Sequence, residues 1–289
     1  MKKIALLLSL IATSSLMATN IELYGQAHLS ADSVDNGTNS TATIASNASR
    51  FGLRASYDLN DEIRALAQFE AGADLSGRGS NDDGNGGDFN PDVNGKSYAS
   101  NGFFTSARES FAGVEGDFGR VVAGNIDAQN QWIYDYNLFA DQVGDLGNLL
   151  GGGGVGPDRA SGTAAYTSPL VAGFRGVLAY MAPSTNNGTS STNTGDISAI
   201  IAKLNYDSGV GIKAGLAYMG LDVDSRTESV NNPNEIALSI SYTNDKFSVG
   251  GGYAMINNYT QDISGVLIPN NDDRSVTYLG ASLTPMKAV

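Results

Sequence analysis

An all-β fold, a transmembrane antiparallel β-barrel, is what this sequence predicts, on three observations. An export segment opens the chain, two-faced strands follow it, and tyrosines recur at alternating intervals. Tyr166, Tyr180, Tyr206, Tyr218, Tyr242, Tyr253 and Tyr278 are separated by 14, 26, 12, 24, 11 and 25 residues. A short gap suits two strands joined by a tight turn, and a long gap suits two strands joined by a sizeable loop. Barrels of the bacterial outer membrane have this asymmetry, with short periplasmic turns and longer loops outside. Aromatic residues near strand ends also fit the interfacial girdles of such barrels.

Taken in order, residues 1–18 are expected to be a signal peptide. Lys2 and Lys3 form a basic start, Ile4 to Ala12 an apolar core, and cleavage follows Ala18, with Leu16 three positions before the cut where Ala is more usual. Residues 19–289 are then the barrel. No other stretch approaches the ~18–20 apolar residues of a spanning helix, and a lipid-exposed chain without such helices must close its backbone hydrogen bonds as a barrel. The chain has no cysteine, which excludes a disulfide framework and a thiolate metal site. Its 36 glycines and seven prolines fit short strands and polar loops. The formal charge is −13, and loss of Lys2 and Lys3 takes it to −15. That disfavours nucleic acid as a partner, because phosphate binding needs basic patches. A mature length of roughly 270 residues also suits a large soluble sandwich, so length and composition alone leave both open.

Strand parity gives the two faces. In Val210 to Tyr218 the apolar set Val210, Ile212, Ala214, Leu216 and Tyr218 opposes Gly211, Lys213, Gly215 and Ala217. Glu235 to Tyr242 repeats the pattern, with Ile236, Leu238, Ile240 and Tyr242 opposite Glu235, Ala237, Ser239 and Ser241. Small or polar residues opposite a large apolar face imply a wet lumen and a lipid-facing exterior. About twelve strands are expected, near 20–31, 47–58, 62–72, 103–115, 118–125, 159–167, 173–182, 197–207, 209–220, 235–243, 246–256 and 275–284. Tight turns are expected at Asn60-Asp61, Asp207-Ser208-Gly209 and Asn244-Asp245. Long loops are expected near 73–102, 125–158, 183–196, 221–234 and 257–274. Ile201 and Leu66 break the parity, being large and apolar on the polar face.

The segment Ser49-Arg50-Phe51-Gly52-Leu53-Arg54-Ala55-Ser56-Tyr57-Asp58-Leu59, continuing to Ala65-Leu66-Ala67-Gln68-Phe69-Glu70, resembles the second and third strands of the Gram-negative trimeric general diffusion porin family. Ile21-Glu22-Leu23-Tyr24-Gly25-Gln26 looks like its first strand. Ser106 to Val114, followed by Gly116-Asp117-Phe118-Gly119-Arg120, is similar to its fourth and fifth. The resemblance covers essentially the whole mature chain. It implies a sixteen-stranded barrel in the outer membrane, three copies per assembly, and a third loop folded into each pore. Basic residues on the barrel wall would face acids on that loop across a narrow eyelet. By motif position Arg50 and Arg108 belong to the basic wall, and Arg159, opening the strand after the long loop, is matched more loosely. Parity supports Arg50, which shares a face with Gly52, Arg54 and Ser56, and places Arg159 with Ser161 and Thr163. Arg54 and Arg64 are expected to be ordinary solvated lumen residues. In the loop 125–158, which is too long for an ordinary hairpin, Asp135, Asp141 and Asp145 are the expected eyelet acids. Trp132, Tyr134, Tyr136 and Phe139 are interleaved with them, and Gly151 to Gly154 form a flexible return.

Two departures from the family pattern stand out. Asn125 follows Gly124 where the family often has Arg, which puts any inter-subunit contact of that Arg in doubt. The chain also ends Pro285-Met286-Lys287-Ala288-Val289 after about twelve strands, without a terminal aromatic residue. A C-terminal truncation of a longer protein is the simpler account, and a natural twelve-stranded barrel the other.

The remaining motifs have plain readings. Glu109 falls by parity among outward apolar neighbours, which suggests either a subunit contact or a rim position. Asn81-x-Asp83-x-Asn85-Gly86, with Asp92 twelfth, has calcium-loop spacing but the wrong end residues, so a solvated acidic loop is the better reading. His28, the only histidine, follows the lumen parity of Gln26 and has no serine motif for catalysis. No enzyme activity, cofactor or metal is expected. The function expected is a passive channel for small hydrophilic solutes and ions. A substrate-specific channel of the same architecture and a soluble exported β-sandwich binding protein are the alternatives.

Overall fold

A computed structural model describes residues 20–35, 40–75, 104–127, 159–183, 197–223, 232–263 and 266–283. Fourteen strands are found there: β1 (Asn20–Gln26), β2 (Leu29–Asp35), β3 (Ser40–Ser46), β4 (Arg50–Asp58), β5 (Ile63–Ala73), β6 (Phe104–Gly116), β7 (Gly119–Asp127), β8 (Arg159–Thr167), β9 (Phe174–Met181), β10 (Ile197–Asp207), β11 (Ile212–Val223), β12 (Asn234–Thr243), β13 (Phe247–Ile263) and β14 (Val266–Leu283). Twelve form one antiparallel sheet in the order β1-β4-β5-β6-β7-β8-β9-β10-β11-β12-β13-β14, while β2 and β3 pair only with each other. Apart from β1 and β4, sheet neighbours are sequence neighbours, the meander of an up-and-down barrel wall. Among the described residues β1 and β14 form the two edges.

All twelve expected strands are present in this sheet, with differences in extent that are largest at the first strand and the last two. The first ends at Gln26, and the stretch after it turns back as the separate β2–β3 hairpin. Residues 257–274, expected to be a loop, are largely the outer halves of β13 and β14, which pair through register shifts near Ile256 and Tyr259. These strands are 17 and 18 residues long, against the ~9–11 that a tilted strand needs to cross a bilayer. Each is longer than one such crossing requires.

The expected tight turns close as their side chains dictate. Asn60 Oδ1 accepts from the backbone N–H groups of Glu62 (2.9 Å) and Ile63 (2.8 Å), and Asn244 Oδ1 accepts from those of Lys246 (2.8 Å) and Phe247 (3.0 Å). Asp207 Oδ1 accepts from Gly209 N at 2.8 Å, and Ser208 Oγ accepts from Val210 and Ile212. Each is a side-chain mimic of a backbone turn. These turns lie at one end of the sheet with the connections 117–118 and 168–173, and the longer connections lie at the other.

The two faces are chemically distinct. On one, Ile21, Leu23, Phe69, Leu178, Ile200, Leu216 and Ile240 are all more than half exposed. A residue of this size gains roughly 1.5–3 kcal/mol when removed from water, so a sheet-wide band of them needs an apolar solvent around it. The other face lines the interior. It holds the charged side chains described below and a buried apolar strip built around Val122, Ala165, Ala179, Ile201 and Met219. Ile201 and Leu66, the two parity breakers, sit in and against that strip. Six of the seven tyrosines lie on the outer face by register. Tyr278 does not: opposite Gly252 and in step with Val276 and Ala254, it is buried inside with Ala254 and Ile256.

Candidate functional site: the charged inner wall

The interior of β1, β4, β5 and β6 carries a connected polar network. The ladders bring Glu22 opposite Arg54, Tyr24 opposite Gly52 and Gln26 opposite Arg50, then Arg54 opposite Gln68 and Gly52 opposite Glu70. Gly52 has a structural reason: the Tyr24 ring lies directly over it, and a Cβ there would overlap the ring. Held in that slot, Tyr24 donates its hydroxyl to Glu70 Oε2 at 2.8 Å. Arg54 covers the other side of the same ring, 4.1 Å from its centroid, a cation–π contact.

Glu70 is the centre of the network. Its second oxygen accepts from Arg108 Nε at 2.8 Å, with side-chain exposures of 8% and 5% for the pair. Arg54 Nε donates to Gln68 Oε1, and Gln68 Nε2 donates to Glu109 Oε2, both at 2.9 Å. Arg50 donates to Gln26. The acid, the tyrosine and three arginines thus hold one another in place along the inner wall.

Arg108 and Glu109 are adjacent in sequence yet both reach this network. The β5–β6 ladder explains it. Phe69 pairs with Ser110 and Ala71 with Ala107, so Glu70 faces both Arg108 and Glu109 across a bulge. A bulge leaves two residues opposite one and re-aims a side chain. Glu109 keeps the alternation of Phe111, which pairs with the inward Gln68, and is an interior residue, not the outward one expected from the sequence; the bulge is what brings Arg108 inward beside it.

A family model of Gram-negative porins matches residues 5–288. This chain belongs to that family. The major outer membrane protein P.IB of Neisseria gonorrhoeae is 28% identical over 201 residues, which are 66% of this chain and 51% of that protein. The chain thus spans about half the length of the curated relatives it matches. Among solved structures, the outer membrane channel DcaP of Acinetobacter baumannii superposes with a TM-score of 0.58 at 12% identity, over 93% of this chain and 75% of that one. A mutant of Rh. blastica porin gives 0.54 at 15% identity, over 92% and 81%. At such identities the likeness is one of fold, the outer-membrane porin barrel, and family membership places this porin in the outer membrane.

Of the expected wall residues in this porin, Arg50 and Arg108 lie on the same inner surface on either side of Glu70. Arg159 is set apart. Thr163 pairs with Gly124 and Ala160 with Ile126, so Ser161 and Gly162 share the single position opposite Asn125. Gly162 makes the slip with φ +65°, a conformation natural to glycine. The bulge puts Arg159 and Ser161 out of step with Thr163, contrary to the simple parity; Ser161 donates to Asn125 Oδ1 at 3.1 Å. Arg159 pairs with Asp127 across the β7–β8 ladder, two strands away from Arg108 on β6. Asp135, Asp141 and Asp145, and the Asn81–Asp92 loop, lie outside the described residues. Sequence reasoning missed Glu70, Tyr24 and Glu109. Glu70 and Tyr24 each had a signal, Glu70 in its place on the face of Gln68 and Tyr24 in its place between Glu22 and Gln26.

Proposed function

We propose that the protein forms a water-filled outer-membrane channel for passive diffusion of small hydrophilic solutes and ions. The observation that carries this is the pairing of a lipid-type outer face with an ionised inner wall on the same strands. Charged groups on a channel wall concentrate counter-ions and orient dipolar solutes. In this reading Arg50 and Arg108 form the basic side of the constriction and Asp135, Asp141 and Asp145 its acidic side; Arg159 joins the basic side by motif position alone, against its register in β8. Residues 1–18 are a signal peptide, three copies assemble through their outer faces, and the protein is a channel without enzymatic activity. The 28% identical relative and the family match support the channel reading.

Reconstitution into planar bilayers tests it. Stepwise, ohmic conductance increments are expected. Absence of conductance from protein verified as folded and inserted would overturn the proposal. Deletion within 130–150 should enlarge the conductance step and weaken ion selectivity, and an unchanged step would remove that loop from the pore.

A further inference from the structure

A second charged feature lies on the inner wall, toward the short-turn end and away from Glu70. The ladders pair Asp58 with Arg64, Arg64 with Glu115, Glu115 with Arg120, and Arg120 with Thr167. These residues form one row running across five strands, β4 to β8, in the hydrogen-bonding direction. Its charges alternate: acid, base, acid, base. Arg64 Nε donates to Asp58 Oδ1 at 2.7 Å, and its Nη1 stands 3.7 Å from Glu115 Oε1. Arg120 makes no ion pair among the described residues. Its guanidinium instead lies over Phe111, 4.6 Å from the ring centroid, with Nε buried and without a hydrogen-bond partner.

The position of the row matters more than its pairing. Among the described residues, two cavities along this wall bear on the row. One, of about 520 Å³, is lined by the Arg54, Gln68 and Glu109 region and reaches Lys203 on the far side. The other, of about 480 Å³, lies at the short turns and includes Asn60, Pro169 and Arg175. Arg64, Glu115, Arg120 and Thr167 are the described residues that line both. A solute following this wall from the interior to the short-turn mouth has to cross them.

We infer that this row is a second ion filter, in series with the Arg50–Glu70–Arg108 wall. Arg120 is its anion-attracting member and Glu115 its cation-attracting member. The inference rests on the channel reading above. The Arg120 guanidinium rests on Phe111 rather than on Glu115, its cross-strand neighbour, and lines both cavities, so its charge is not cancelled by an ion pair there. Glu115 is only loosely held by Arg64 and remains 40% exposed, so its charge also reaches the passage. A fixed charge at a low-dielectric wall raises the local concentration of the opposite ion. The row is neutral as a whole, so removing either member unbalances it in a predictable direction.

The experiment is reversal potential under a salt gradient, in bilayers, for the wild-type protein and single variants. Arg120→Gln should raise the cation-to-anion permeability ratio about two- to fourfold near 0.1 M salt, and Glu115→Gln should lower it by a similar factor. Arg120→Lys should keep the wild-type ratio. Both shifts should shrink at 1 M, where the Debye length falls to ~3 Å. The chain has no cysteine, so Arg120→Cys allows a check within one channel. A cationic thiol reagent should restore the wild-type ratio, and an anionic one should push it further toward cations. Conducting Arg120→Gln and Glu115→Gln channels with wild-type reversal potentials would overturn the second filter and leave the porin reading intact. A wild-type protein that inserts and does not conduct would overturn both.

Discussion

Glu70 shows how a single residue can set the electrostatics of a wall. Two arginines bias it, Arg108 by direct contact and Arg50 at longer range, while Tyr24 fixes its second oxygen. Because the Arg108–Glu70 pair is almost fully buried, removing one partner leaves a charge in a site that cannot solvate it. Such a break costs about 3–5 kcal/mol. Glu70→Gln should therefore lower folding stability by about that amount, read as a shift in the urea midpoint in detergent. Glu70→Gln combined with Arg108→Met should recover much of the loss, because no buried charge is then stranded. A double-mutant cycle showing additive losses would mean that the pair is not coupled. Gly52→Leu probes the neighbouring slot. Its side chain would displace the Tyr24 ring, and loss of the hydroxyl bond to Glu70 should cost about 1–3 kcal/mol, with a folded barrel retained.

At the scale of strands, what the sequence made legible is what local chemistry decides alone. The period-two alternation of β11 and β12 named both faces correctly, and Asn60, Ser208 and Asn244 marked their turns because each side chain makes its own backbone bonds. Leu238→Arg, on the outer face at mid-strand and 49% exposed, should cost about 2–4 kcal/mol if placed near the bilayer midplane. Ser239→Arg, one residue on and facing inward, should be tolerated. Equal costs in a folding titration into lipid vesicles would refute the facing. What was not legible depends on pairing partners. The bulge at Arg108 and Glu109 is a property of the β5–β6 register, and nothing in Ala107-Arg108-Glu109-Ser110 signals the slip. The β8 slip at Gly162 escaped for the same reason, so Arg159 and Thr163 were placed together. The β2–β3 hairpin was hidden because Ser40 to Ser46 offers Ile44 as its one large apolar residue, too little to mark an apolar face. Tyr278 misled because regular spacing cannot tell an outward girdle position from an inward one a residue away.

For the molecule as a whole, the net charge is acidic while the inner wall is balanced. The chain carries −13 in total, which should enrich cations near the mouths of the proposed channel. The inner wall instead balances its charges: Arg50, Arg54 and Arg108 are matched in number by Glu22, Glu70 and Glu109. The balance predicts a mild cation preference. Replacing Arg50 and Arg108 together by Gln removes two positive charges and leaves the acids of the wall in excess, so cation preference should strengthen. The effect should be largest at low salt and fade as ionic strength rises, since the Debye length is ~10 Å at 0.1 M and ~3 Å at 1 M. Zero-current potentials across a tenfold salt gradient decide the matter. A double variant that becomes anion-selective, or that matches the wild type at every salt concentration, would show that ions do not pass along this wall. The same measurement on Arg120→Gln would then say whether the row at the short-turn end is the controlling surface instead.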